Sequence, residues 1–321
     1  WRRQLADLPA VTDLPMDRPR PAVLDQAGDT VTVTVDDRLA DGLAEAARRY
    51  AVTPFMLTHT ALAVTVARLA ATEDVVIGAP IAGRPDRAVE DLVGMFVNTL
   101  VLRTPIDPGQ PLGELLAAVR AIDLAAFDHS AMQFDDLVDA LAPERSTAYQ
   151  PLAQIAFTHT APQASTGLAE LPGLTARPLA APQPVAKFDL TVAVTDRTDE
   201  VPMVAEFVYA TALFDEETVQ RISRTWLRVL QAVVDSPGTA AGDVDITDSV
   251  RPAVSTVSRN SVGTDTASAD GGHSTPATLV ELLDRRTVNP AHPALICGDT
   301  ELAYRDFDIH TDRIARRLIE L

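Results

Sequence analysis

Lysine is all but missing from this sequence: Lys187 stands alone among 27 basic Lys and Arg residues, against 45 acidic ones. The formal net charge of −18 argues against nucleic acid or an anionic membrane as a partner, because both need a basic face. With its one lysine in AKFDL, the chain also lacks the phosphate loop G-x-x-x-x-G-K-[ST]. Cysteine occurs once, as Cys297, which excludes an internal disulfide framework and a cysteine metal cluster. A reducing, cytoplasmic setting is the default reading, and no secretory leader pattern precedes the first folded segment. The longest helical apolar run, PFMLTHTALAVTVARLA, is broken by His59, several threonines and Arg68 and falls short of a membrane span. There is no G-x-S-x-G nucleophile elbow. None of the six histidines (His59, His129, His159, His273, His292 and His310) has a second metal ligand at helical or hairpin spacing.

What the sequence does have is periodicity. TVTVTV alternates at period two, as a strand with one wet face does. DDRLADGLAEAARRYA follows as an amphipathic helix with an aspartate cap. Thr53 and Pro54 open a second helix, apolar nearly all round and so buried, in which His59 is expected to be a satisfied core histidine. DVVIGAPIAG reads as a buried strand and Asp91–Arg103 as another, followed by helices at PLGELLAAVRAIDLAAF and FDDLVDALA. In the latter, Asp135, Asp136 and Asp139 form a solvated face. Strands at LAQIAFTHT, KFDLTVAVTD and MVAEFVYA and a long capped helix, DEETVQRISRTWLRVLQAVVD, complete one α/β unit over residues 1–235, a mixed sheet with flanking helices. WRRQLADL at its start reads as an amphipathic helix. Residues 236–276 are small, polar and glycine-rich, as a flexible linker is. Order resumes over 277–321 as helix, strand, turn, strand and helix. So short a segment cannot bury a core by itself, which makes it the edge of a second domain and the chain a piece of something longer.

One stretch resists the core reading. DLVGMFVNTLVLR carries Asn98 beside Thr99 in a run of Val, Leu, Met and Phe. A buried amide costs roughly 1–3 kcal/mol unless something hydrogen-bonds it. Either neighbouring backbone satisfies Asn98 at a strand end, or the amide faces a cavity.

VGMFVNTLVLR resembles the G-x-F-V-N-T motif of the condensation domains of nonribosomal peptide synthetases. HSAMQFDDLVDAL is similar to that family's H-Q-D-x-P-F-E-x-L-V motif, keeping His129 and Phe134, with Ser130 and Ala131 departing from Gln-Asp. PERSTAYQPLAQIAF is similar to R-D-x-S-R-N-P-L-F-Q-V, keeping Pro151, Leu152 and Gln154. KFDLTVAV, with Asp189, and LFDEETVQRI match the last strands and closing helix, and WRRQLADLP the helix leading out of the first lobe. ELAYRDFDIHTDRIARRL resembles the opening of an adenylation domain.

The resemblance implies the second, C-terminal lobe of a chloramphenicol acetyltransferase-like fold, a linker, and a truncated adenylation domain. In such domains two lobes enclose a tunnel, where an acceptor amine attacks a donor thioester to form an amide. Gly94, Phe96, Asn98 and Thr99 are then expected on the tunnel wall, with Arg103, His129, Phe134, Pro151 and Asp189 as structural motif residues. The signature H-H-x-x-x-D-G is absent: Asp41–Gly42 and Asp270–Gly271 are not preceded by paired histidines. No catalytic residue and no metal site is therefore expected in this chain. The expected partners are the upstream lobe, donor and acceptor carrier proteins with phosphopantetheine arms, and the downstream adenylation domain. No cofactor is expected to bind directly, and ATP would serve only the remainder of the adenylation domain. The alternatives are a non-catalytic carrier-docking module, or an ester-forming or epimerising relative.

Overall fold

The computed structural model describes residues 1–12, 14–84, 91–141, 146–161, 184–198 and 201–246, with Val89, Arg305 and the strands at 293–297 and 300–303. The chain divides into two compact units, Trp1–Val254 and Ser255–Leu321. In the first, a mixed six-stranded sheet forms from β1 (Gly28–Val35), β2 (Asp74–Ile81), β3 (Asn98–Pro105), β4 (Ile155–Thr160), β5 (Leu190–Thr195) and β6 (Met203–Ala210), in the order β1-β6-β5-β4-β2-β3. The β4–β5 and β4–β2 pairs are parallel and the others antiparallel. In the second unit the described strands Pro293–Cys297 (β7) and Thr300–Ala303 (β8) pair antiparallel, where two strands were expected.

Helices α1 (Asp37–Tyr50), α2 (Pro54–Leu69), α3 (Leu112–Asp128), α4 (Phe134–Leu141) and α5 (Glu216–Asp235) complete the first unit. Asp36 and Thr53 cap α1 and α2 by accepting from the backbone N–H of Leu39 and Met56, at 2.9 and 3.2 Å. From Met56 to Ala67 every residue of α2 is buried, as an apolar sequence without a polar stripe requires. Trp226 of α5 is fully buried, edge-on to Phe207 of β6. Close helix packing explains Gly42: a Cβ there would lie 2.5 Å from Val234 Cγ1 of α5. Alternation divides the sheet faces. Val75 and Ile77 join the large core beneath the helices, while Val76 joins a second cluster with Leu5, Val101, Leu137 and Leu152. No single described helix is long and apolar enough to cross a membrane.

Four sequence expectations need correction. Residues 2–7 form turns instead of a helix. Arg103 donates to the carbonyls of Gln4 and Ala6, which a continuing helix would need for its own bonds. The strand expected over Asp91–Arg103 begins only at Asn98. Before it, Val93 and Met95 are 104% and 85% exposed, so that apolar stretch belongs to no core. Asp215 precedes α5 without a side-chain cap bond; Asp17 serves instead, accepting from Asp215 N–H at 2.7 Å and Thr218 Oγ1 at 2.8 Å.

The linker does not begin at residue 236. Leu112 N–H donates to Thr239 O, Ala241 N–H to Gln110 O and Gly242 N–H to Pro108 O, while Ala241 and Val244 are buried. The rest of the expected linker (247–276) and the two helices expected within 277–321 lie outside the described residues. A chain ending at Asp235 should therefore be less stable than one ending at Ile246 by about 2 kcal/mol, the scale of burying one valine. Coincident urea midpoints for the two truncations would contradict this packing.

Candidate functional site

Asn98 opens β3 with 4% of its surface exposed. Its Nδ2 donates to the carbonyls of Ser130 and Met132, at 3.0 and 2.8 Å. Its Oδ1 accepts from the backbone N–H of Thr99 and Phe134, both at 2.9 Å. Both donors and both acceptor sites of the carboxamide are thus engaged within the chain. The amide ties β3 to the α3–α4 turn and supplies an acceptor at the first turn of α4. Backbone at a strand end satisfies it, as one of the two sequence readings held, and the amide leaves no bond open to a ligand. Thr99 is half-buried and points the other way, with its methyl against Gly78 of β2.

Around this anchor lie several of the residues singled out in sequence. Gly94 and Phe96 sit in the exposed loop before β3, and Phe96 is half-buried beneath the guanidinium of Arg84, 4.1 Å from its ring centroid. His129 ends α3, its Nδ1 2.8 Å from Ala125 O and its carbonyl accepting from the Trp1 indole. Phe134 starts α4 and packs on the second apolar cluster. Leu92, Val93, Met95 and Val97 of the loop, with Phe127 and Met132, are exposed apolar side chains close to this corner of the fold.

The remaining motif residues lie elsewhere and brace other joints. Arg103, toward the far end of β3, makes a two-pronged pair with Asp74 (2.8 and 2.7 Å), and that hydrogen bonding raises its pKa above the usual value. Asp189, 4% exposed, takes a two-pronged bond from Arg20, which also stacks on Tyr149. Pro151 precedes β4. Three residues on, Gln154 accepts from Thr12 N–H and donates to the carbonyls of Ala10 and Gln150. Between the N-terminal turns, β3 and α3 opens a cleft of about 620 Å³, lined by Arg2, Arg3, Arg103, His129 and small residues of α3.

Two histidine pairs were not legible. His59 was expected to be satisfied, but only its Nδ1 has a hydrogen-bond partner, Asp123 Oδ2 at 3.2 Å. Its Nε2 is buried without one, as is Asp123 Oδ1 by hydrogen-bond geometry. The signal for that pair was a lone aspartate on the apolar row of α3, Val119–Asp123–Ala126. His159 on β4 spans Thr58 Oγ1 (Nδ1, 2.8 Å) and Asp196 Oδ1 (Nε2, 2.9 Å), beside a 270 Å³ cleft. Thr58 Oγ1 also contacts Pro54 O at 2.7 Å, which marks it as a helix side chain bonded back to its own turn.

Replacing Asn98 by leucine should cost about 3 kcal/mol, because two carbonyls and two N–H groups lose their partner. Asn98→Asp keeps the acceptors but turns a carboxylate oxygen toward the carbonyls of Ser130 and Met132. Its protonated form can donate there, so its deficit relative to wild type should shrink as pH falls from 7 toward about 4. Urea melts at pH 7 and pH 4 measure both effects, and a deficit that grows on acidification would contradict the bonding described.

The Condensation domain family model matches residues 1–253. The phosphinothricin tripeptide synthetase PhsC of Streptomyces viridochromogenes is 35% identical over 323 residues, covering 100% of this chain and 29% of that protein. The dimodular nonribosomal peptide synthase of Bacillus subtilis is 36% identical, over 99% of this chain and 13% of that one. Among solved structures, the X-domain from teicoplanin biosynthesis superposes with a TM-score of 0.72 at 28% identity, over 77% of this chain and 56% of that chain. The chain thus spans less than a third of these synthetases and about half of a solved relative's fold. With the family model covering most of its length, this chain belongs to the condensation-domain family of nonribosomal peptide synthetases.

Proposed function

We propose that residues 1–246 form the C-terminal half of an amide-forming condensation domain within an elongation module, with the tunnel wall running along the 91–97 loop and the start of β3. The observation that carries this reading is the apolar surface at that corner. Leu92, Val93, Met95 and Val97 are all more than half exposed on a connection whose ends are firmly bonded. Contiguous exposed apolar area marks an interaction site. Since the X-domain is matched over 56% of its length, the occupant proposed for this surface is the other half of the same fold.

In the proposed reaction, the amine of an acceptor aminoacyl thioester attacks the carbonyl carbon of a donor thioester. The C–N bond forms, the C–S bond breaks, the amine loses a proton and the donor thiol leaves protonated. Both thioesters ride on phosphopantetheine arms of carrier proteins. A general base must come within hydrogen-bond reach of the amine. His59 is sealed in the core, and His159 has both nitrogens engaged. His129 lines the cleft beside the N-terminal turns, but the chain carries no H-H-x-x-x-D-G, and for that reason the base is assigned to the half outside this chain, and residues 277–321 to the edge of an adenylation domain that follows.

A second reading, recruitment of a partner protein without chemistry, is favoured by one observation: the X-domain from teicoplanin biosynthesis has been solved in complex with OxyB. The two readings separate in one assay. Loaded donor and acceptor carrier proteins are supplied to residues 1–321 alone, and to the complete domain that contains them, and the dipeptidyl thioester is followed by mass spectrometry. Product only with the complete domain supports the division of labour proposed here. Product from residues 1–321 alone would place the base in this chain, and none from either would favour recruitment. In the complete domain, Val93→Asp with Met95→Asp should lower product formation by about tenfold or more, the effect of burying charge in an apolar interface.

A further inference from the structure

Sixteen residues, 82–97, connect β2 to β3, where antiparallel neighbours usually need far fewer. Loops of that length with exposed apolar side chains would ordinarily collapse or wander. This one is closed at its neck. Gly83 has φ +62°, and a Cβ there would lie 1.7 Å from Phe96 O, so the two limbs touch backbone to backbone. The next residue, Arg84, spans the loop: its Nη1 donates to the carbonyls of Val89 and Leu92, and its guanidinium lies over the ring of Phe96. One cation on the outgoing limb therefore holds the rest of the loop both by hydrogen bonds, from Nη1, and through an aromatic face. Asn98 fixes the end of the loop at β3.

We propose that Arg84 is the positioning residue of the 91–97 loop, setting where Phe96 and the apolar side chains of that loop stand. It acts through the loop and touches no reacting group. Its consequence for amide formation rests on the tunnel assignment proposed above, whereas its role in shaping the loop does not.

The test compares Arg84→Met, which keeps an unbranched apolar stem, with Arg84→Lys and Arg84→Gln. The first measurement uses residues 1–321 and follows chymotrypsin cleavage after Leu92, Met95 and Phe96, beside the urea midpoint. Arg84→Met should raise the cleavage rate about tenfold if the cation holds the loop shut. Arg84→Lys should restore part of the protection, because its ammonium can face the ring but cannot also reach both carbonyls. Arg84→Gln should fall with Arg84→Met, having no charge for the ring. Cleavage at the wild-type rate in Arg84→Met overturns the proposal. So does a fall in midpoint with equal acceleration after Phe127, which would make Arg84 a general structural residue. In the complete domain, Arg84→Met should lower kcat for amide formation severalfold while the thioester loading of the carrier proteins stays unchanged, with Arg84→Lys in between. If the wild-type domain forms no amide, the tunnel reading fails, and cleavage alone decides the role of Arg84.

Discussion

A single carboxamide joins three segments that reach this corner of the fold from different directions. Asn98 starts β3, takes the carbonyls of the α3–α4 turn on one side, and offers its oxygen to the first turn of α4 on the other. Because α4 lays Leu137 on the second apolar cluster, the placement of that helix follows from the same amide. In a low-dielectric setting such a group either has all its partners or is a liability, and here it has them. The surface on either side, apolar and exposed, can be displayed because the backbone beneath it is anchored.

Similar polar braces hold the first 27 residues, whose described residues contribute no helix and no strand beyond an isolated bridge. Arg103 grips the carbonyls of Gln4 and Ala6, Gln154 binds Ala10 and Thr12, and Arg20 locks into Asp189. Each brace joins the irregular segment to a strand or to the residue leading into one. The segment gives up the regular backbone ladder and has its polar groups met by side chains instead. Arg103, Gln154 and Asp189 all lie in stretches singled out in the sequence, and in the structure they are joints between the irregular opening segment and the sheet.

Most of the architecture was legible from pattern, since α1, α2, α3, α5 and the strands carry strong periods, and α1 and α2 clear caps as well. What misled was apolar content without its context. Leu92–Val97 reads as a buried strand because composition cannot tell a core from a surface awaiting a partner. The opening segment reads as a helix because its period is right, yet Arg103, about a hundred residues on, claims its carbonyls. Asn98 was noticed for its oddity, but whether turn backbone or a cavity met its bonds depends on residues 130–134 folding back, which no local pattern reveals. The His59–Asp123 contact likewise depends on the crossing of two helices.

The pairing of β1 with β6 has a consequence in time. Val35 lies opposite Met203 and Gly28 opposite Ala210, so among the described strands β1 has its one neighbour about 170 residues downstream. On a ribosome adding roughly 5–20 residues per second, that strand is made some ten to thirty seconds before its partner exists. During that interval Val31 and Val35 can reach α1 but no ladder, and an unpaired strand is a template for any other extended chain. Threonines at 30, 32 and 34 keep one face of the waiting strand polar. Nascent copies of this chain carry their greatest risk of pairing with each other at that stage, which lasts until after every residue of the candidate site's corner has been made.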